Sequence, residues 1–164
     1  MLNNLKKNNR PYQTKFSFGA TVAIITNLGL IVGLAALAHP RLAIISGILI
    51  IALVDNIADS FSIHIYQESE YIDKKEVWFS TLTNFLTRMF VSLTFLILVI
   101  VLPLKLVVPC SIIWGLVLLA SISYIIAKDK EVNPYLAIFE HISIAVIVII
   151  ASDFVGKFLI DKFK

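Results

Sequence analysis

Charge is what this chain has least of. Only 15% of its 164 residues are Asp, Glu, Lys or Arg, while 59% are hydrophobic. A soluble domain carries about 25% charged residues to cover its surface, so an ordinary soluble fold is excluded. No polar stretch is long enough to fold alone, which excludes a large soluble domain beside the apolar part. Cysteine is nearly absent: Cys110 stands alone, so the chain can form neither an internal disulfide nor a thiolate cluster. It reads as a small apolar filler at the edge of a span. The three histidines, His39, His64 and His141, are scattered over different loops and depths. No His-x-x-x-His pair, Ser/Cys–His spacing or phosphate loop occurs, so nothing points to an enzyme or to a bound cofactor. The net charge of +3 is modest. Its basic residues flank apolar runs, as topology signals do, and form no nucleic-acid surface.

What is present is five long apolar runs, at about 18–38, 42–65, 83–102, 106–127 and 136–158. Each is roughly 20 residues or more, enough to cross about 30 Å of hydrocarbon as a helix. Continuous runs suit helices, whose backbone groups are satisfied internally, and not the short alternating strands of a barrel. The expected fold class is an all-α integral membrane protein of five transmembrane helices (18–164), preceded by a basic cytoplasmic tail (1–17). Pro40 falls between the first two runs, Pro103 and Pro109 bracket the third connection, and Pro134 precedes the fifth run. No proline is expected mid-span. The short connections make successive helices antiparallel neighbours.

Lys and Arg set the orientation. With the N-terminus inside, the inner segments carry Lys6, Lys7, Arg10, Lys15, Lys74, Lys75, Lys128 and Lys130, whereas the outer loops carry Arg41 and Lys105 and the outer C-terminus Lys157, Lys162 and Lys164. The expected topology is therefore N-inside and C-outside, in a prokaryotic cytoplasmic membrane.

Against this background, Asp55 and Asp59 stand out inside the second run. A carboxylate at membrane depth is costly by at least a few kcal/mol and is a functional-site hypothesis by default. Four residues apart, the two acids share one helix face, and Ser62 and His64 continue toward the inner interface. Asn27 in the first run lies at similar depth to Asp55 when the two helices pack antiparallel. Carboxylate and amide oxygens at one level suit a hard or borderline divalent cation. The alternative is structural: either acid pairs with Arg88 or His141 as interhelical glue. Arg88, four residues after Asn84, could neutralise Asp59 or reach for lipid headgroups. Glu140 and His141 are adjacent and point about 100° apart, so one site cannot receive both equally. Asp153 reads as interfacial. The connection Tyr66–Glu76 holds Glu68, Glu70, Asp73 and Glu76, the one acidic cluster, which either gathers cations at the inner mouth or is a solvated turn. Gly29 and Gly33 form a small-xxx-small pair that permits close helix approach and, in some cases, dimerisation.

The segments Phe18-Gly19-Ala20-Thr21-Val22 and Gly33-Leu34-Ala35 resemble the first helix of the vacuolar iron transporter family, where a glycine and an Asp-Gly pair precede an apolar run ending in Gly-Leu-Ala. Ala52-Leu53-Val54-Asp55-Asn56-Ile57-Ala58-Asp59-Ser60-Phe61-Ser62 is similar to that family's Ser-Met-x-x-Gly-Glu-Tyr-x-Ser helix. Pro103-Leu104 and Phe154-Val155-Gly156 resemble the ends of its third and closing helices. On this alignment the family's helix-one aspartate falls at Val22, its helix-two methionine at Asp55 and its glutamate at Asp59. The long cytoplasmic metal-binding segment between helices two and three has no counterpart. The resemblance implies a homodimeric transporter of ferrous or manganous ions, carried as substrate across the lipid bilayer in exchange for protons. Asp55, Asp59, Asn56 and Asn27 are then the expected metal ligands, with Ser62, His64, Glu68, Glu70, Arg88 and Glu140 as accessory groups. The alternative function is a non-transporting membrane scaffold or regulatory subunit on the same fold.

Overall fold

A computed structural model describes residues 19–163. The expected basic tail, Phe18 and Lys164 lie outside the described residues. Helix α1 spans Gly19–Leu34, α2 Pro40–Ile50, α3 Asn56–Ser69, α4 Lys74–Val101, α5 Leu104–Asp129 and α6 Pro134–Phe163. A π-helical turn, Ile51–Asp55, joins α2 to α3, so Pro40–Ser69 forms one continuous rod. The described residues are all-helical, and four helical units are long and apolar enough to cross a membrane: the Pro40–Ser69 rod, α4, α5 and α6. α1 is a shorter apolar helix.

The four long helical units exceed the apolar stretches that signal them, whereas α1 stops at Leu34, short of the expected residue 38. α4 begins at Lys74, well before the run expected from residue 83, because Asp73 caps it: the Asp73 Oδ2 accepts from the Lys75 N–H at 3.1 Å, satisfying one of the unpaired first-turn donors. The acidic connection therefore shrinks to Glu70–Asp73, turned by Tyr71 in the left-handed region (φ 56°). The third connection is likewise only Leu102–Pro103, and Leu102 is extended, as a residue before proline prefers to be. Pro109 does not bracket that connection; it lies inside α5. Its missing N–H leaves the Lys105 carbonyl, in the first turn of the helix, without its usual helical donor.

α1 is the central post. Ala20, Ala23, Ile24, Asn27, Leu28, Ile31 and Val32 are all buried. Ile24, Leu28 and Ile31 form the core with Ile44 and Ile48 of α2, Phe95 and Val99 of α4, Val107 and Leu119 of α5, and Ala145 of α6. Many remaining large apolar side chains face outward, as lipid-facing positions do. Close helix approach depends on small residues. Gly29 and Gly33 of α1 pack on Ser152 and Gly156 of α6, and a Cβ on Gly156 would land on the Gly33 carbonyl oxygen. The small-xxx-small pair thus serves a contact within the chain.

The buried positions of the Pro40–Ser69 rod repeat every four residues: Ile44, Ile48, Ala52, Asn56, Ser60 and His64. In a straight α-helix that repeat drifts by about 40° per step. The π turn adds one residue and takes back about 100° of this drift. It keeps the apolar half of the stripe on the core and turns the polar half toward α4.

Candidate functional site

The polar half of that stripe meets a matching one on α4. Ser80, Asn84, Arg88 and Ser92, again four residues apart, are all buried. Antiparallel packing pairs the two stripes rung by rung. Arg88 Nε donates to Asn56 Oδ1 at 2.8 Å. Asn84 Nδ2 donates to Ser60 Oγ at 3.0 Å. His64 Nδ1 lies 3.0 Å from Thr81 Oγ1, and Gln67 Nε2 donates to Ser80 Oγ at 2.9 Å. From Asn56 to Gln67 the seam runs about 16 Å along the helix. A polar interface of this kind is favoured within a bilayer because its groups would otherwise meet hydrocarbon.

Arg88 anchors one end of the seam. Its side chain is 1% exposed and its Nη2 and Nη1 reach Asp55 Oδ2 at 2.7 Å and Asp59 Oδ2 at 2.8 Å. The π turn ends at Asp55, so both acids are delivered one helical turn apart onto the same guanidinium. The arrangement is inverted relative to an ordinary buried pair: the cation is inside, while the Asp55 and Asp59 side chains remain 49% and 33% exposed. Each carboxylate commits Oδ2 to Arg88, and its Oδ1 takes no hydrogen bond among the described residues. One guanidinium against two carboxylates leaves a formal charge of −1. Around them the surface is apolar and exposed: Leu53, Val54, Ile57 and Phe61.

The other expected residues divide. Asn56 is buried and joins the acids on Arg88. Asn27 is buried too, but its Nδ2 donates to Ser92 Oγ at 2.9 Å and to the Ala23 carbonyl at 2.8 Å. It thus engages α4 one turn beyond Arg88 and makes no bond to either acid. Ser62 is exposed and bonds back to the Ala58 carbonyl. His64 is buried, with Glu68 Oε1 3.6 Å from its Nε2. Glu70 lies exposed in the turn, and Glu140 is exposed on α6. His141 pairs with Ser123 of α5 at 2.7 Å and not with an acid. Asp153 pairs with Lys157, four residues on, at 2.6 Å. Among the described residues, no three His, Cys, Asp or Glu side chains converge as a metal-ligand group.

Ser60, Ser80, Thr81 and Ser92 are seam residues that a search for charged groups passes over. For Ser60, Ser80 and Ser92 the signal was the four-residue repeat of polar residues, Asn56-Ser60-His64-Glu68 against Ser80-Asn84-Arg88-Ser92, which Thr81 lies outside.

No protein-family model, curated protein or solved structure matches this chain.

Proposed function

We propose that this chain is an integral membrane transporter of divalent transition-metal ions, iron or manganese, acting as a homodimer and distantly related to the vacuolar iron transporters. The observation that supports this reading is the outward presentation of two carboxylates by one buried arginine. A pair built only for stability would bury the acids as well, and one acid would suffice. Carboxylates half-open to hydrocarbon are untenable, so their face is covered by a second copy or lines a wet path. Two such faces together carry a formal charge of −2, which one divalent cation balances. Arg88 then acts as the resident counter-charge when no ion is held, and an arriving ion draws on the free Oδ1 atoms of Asp55 and Asp59. Protons that take the ion's place on leaving would couple the two flows. The distribution of Lys74, Lys75, Lys128 and Lys130 against Arg41 and Lys105 favours an orientation with the acidic turn inside, and the membrane proposed is a prokaryotic cytoplasmic one.

Uptake of ferrous and manganous ions into proteoliposomes tests this. Transport is expected from the parent chain and should be lost in the Asp55→Ala, Asp59→Ala double variant. Equal uptake by that variant would sink the assignment.

A second reading, a non-transporting scaffold or regulatory subunit, is favoured by the satisfaction of both acids by Arg88. On that reading Asp59→Asn disrupts assembly in detergent, and no metal ion raises the melting temperature of the parent.

A further inference from the structure

At the opposite end of the seam, where α3 meets the acidic turn, the hydrogen bonds orient one histidine. Thr81 has a single hydroxyl proton, and it goes to the Val77 carbonyl at 2.9 Å. With that proton on Val77, Thr81 Oγ1 accepts from His64 Nδ1, 3.0 Å away. In the neutral ring Nδ1 then carries the proton, and the lone pair sits on Nε2. That nitrogen faces Glu68 Oε1 at 3.6 Å, too far for a hydrogen bond. A lone pair opposite a carboxylate is repulsive unless a cation, a proton on Nε2 or a metal ion, lies between them.

The spacing suits a metal. Ligand bonds of about 2.1 Å place two donors about 3.4 Å apart at a tetrahedral angle. The support is that of a ligand: Thr81 fixes the ring through its other nitrogen, as second-shell acceptors do for metal-bound histidines, while Phe61 stacks 6.0 Å away and Trp78 meets the ring edge-on at 4.5 Å. A third oxygen lies on the same helix face. Gln67, three residues from His64, holds its Nε2 on Ser80 and leaves Oε1 buried without a hydrogen bond among the described residues. Glu68, by contrast, is 53% exposed and so accessible from the aqueous side.

We infer that His64 and Glu68 form a binding site for a borderline divalent transition metal at the mouth of the seam, distinct from Asp55 and Asp59. It rests on the proposed cargo for its role, as the place where an ion sheds water before moving inward, but not for its existence. Nitrogen and carboxylate donors select zinc-, cobalt- or iron-like ions over magnesium and calcium.

Trp78 reports on this site. With Trp114→Phe as the parent, leaving Trp78 as the single tryptophan of the full chain, cobaltous ion added to protein in lipid nanodiscs is expected to quench its fluorescence saturably. Zinc should reverse the quenching and a thousandfold excess of magnesium should not. His64→Gln and Glu68→Gln should each raise the half-saturating cobalt concentration at least tenfold, while Asp153→Asn on α6, whose side chain pairs with Lys157, leaves it unchanged. Glu68 is exposed, so its variant tests the site without disturbing the core. Quenching that is absent, unsaturable, equally reversed by magnesium, or unaffected by Glu68→Gln overturns the site. Saturable quenching with no uptake in proteoliposomes would keep the site and remove the transport reading.

Discussion

Arg88 and Asp55 lie 2.7 Å apart but in opposite surroundings: the guanidinium is sealed in the bundle, and half of the carboxylate's side chain is open. Removing either partner therefore has unequal consequences. Loss of an acid leaves Arg88 a second carboxylate and Asn56, whereas loss of Arg88 leaves two neighbouring anions at membrane depth with no counter-charge.

Arg88→Ala is expected to destabilise the fold by about 3 kcal/mol, the lower end for breaking a buried pair, since the acids keep partial exposure. Adding Asp55→Asn and Asp59→Asn to Arg88→Ala should recover part of the loss. Reversible unfolding in mixed micelles measures both, and an Arg88→Ala variant as stable as the parent would remove the ion pair from any account of the fold.

The α1–α6 crossing gives two glycines with opposite tolerance. A Cβ on Gly156 meets the Gly33 backbone, but one on Gly33 finds Ser152 at an ordinary contact distance of 3.5 Å. Gly156→Ala should cost about 1–3 kcal/mol, the range for overpacking, and Gly33→Ala should stay within about 0.5 kcal/mol. Thermal aggregation of the two purified variants, compared side by side, shows whether the order holds.

Deleting Leu53 removes the extra residue of the π turn and rotates α3 by about 100° relative to α2. Leu53 is itself exposed, so Leu53→Ala should be nearly silent. The deletion should abolish a disulfide engineered between α3 and α4 or lower the yield of folded protein sharply. A deletion variant that still forms that disulfide at parental yield would show that the π turn does not set the register.

Arg41 closes a helix end. Its Nη2 donates to the Leu102 carbonyl at 2.6 Å and its Nη1 to the Ile100 carbonyl at 3.4 Å, closing the C-terminal end of α4. Cations and donors at that end of a helix are favoured. Arg41→Ala should cost about 1 kcal/mol, and Arg41→Gln, which keeps one donor group, should cost less; hydrogen exchange at the last turn of α4 would show the fraying.

The apolar runs located the helices because hydrocarbon demands long unbroken stretches, and the cost of ionised groups there singled out Asp55, Asp59 and Arg88. Helix ends were less legible. α4 starts at a capping aspartate beyond the apolar run, and Pro109 sits within α5, since neither feature alters hydropathy. The π turn left no compositional mark either. It became visible only through the four-residue spacing of buried positions, which reads as an ordinary helix until the drift is added up. Asn27 bonds Ser92 of α4 and neither acid, because depth alone does not say which neighbouring helix a side chain meets.

The backbone contact between Gly33 and Gly156 has a bearing on biogenesis. α1 is the central post, yet its Gly29–Gly33 face stays unsealed until α6 has been synthesised and inserted. During translation the earlier helices must hold α1 in the membrane with one side uncovered, within reach of lipid, insertion factors or a neighbouring nascent chain. Assembly of the bundle is then decided late, and a defect confined to α6 would strand the helix around which all the others are arranged.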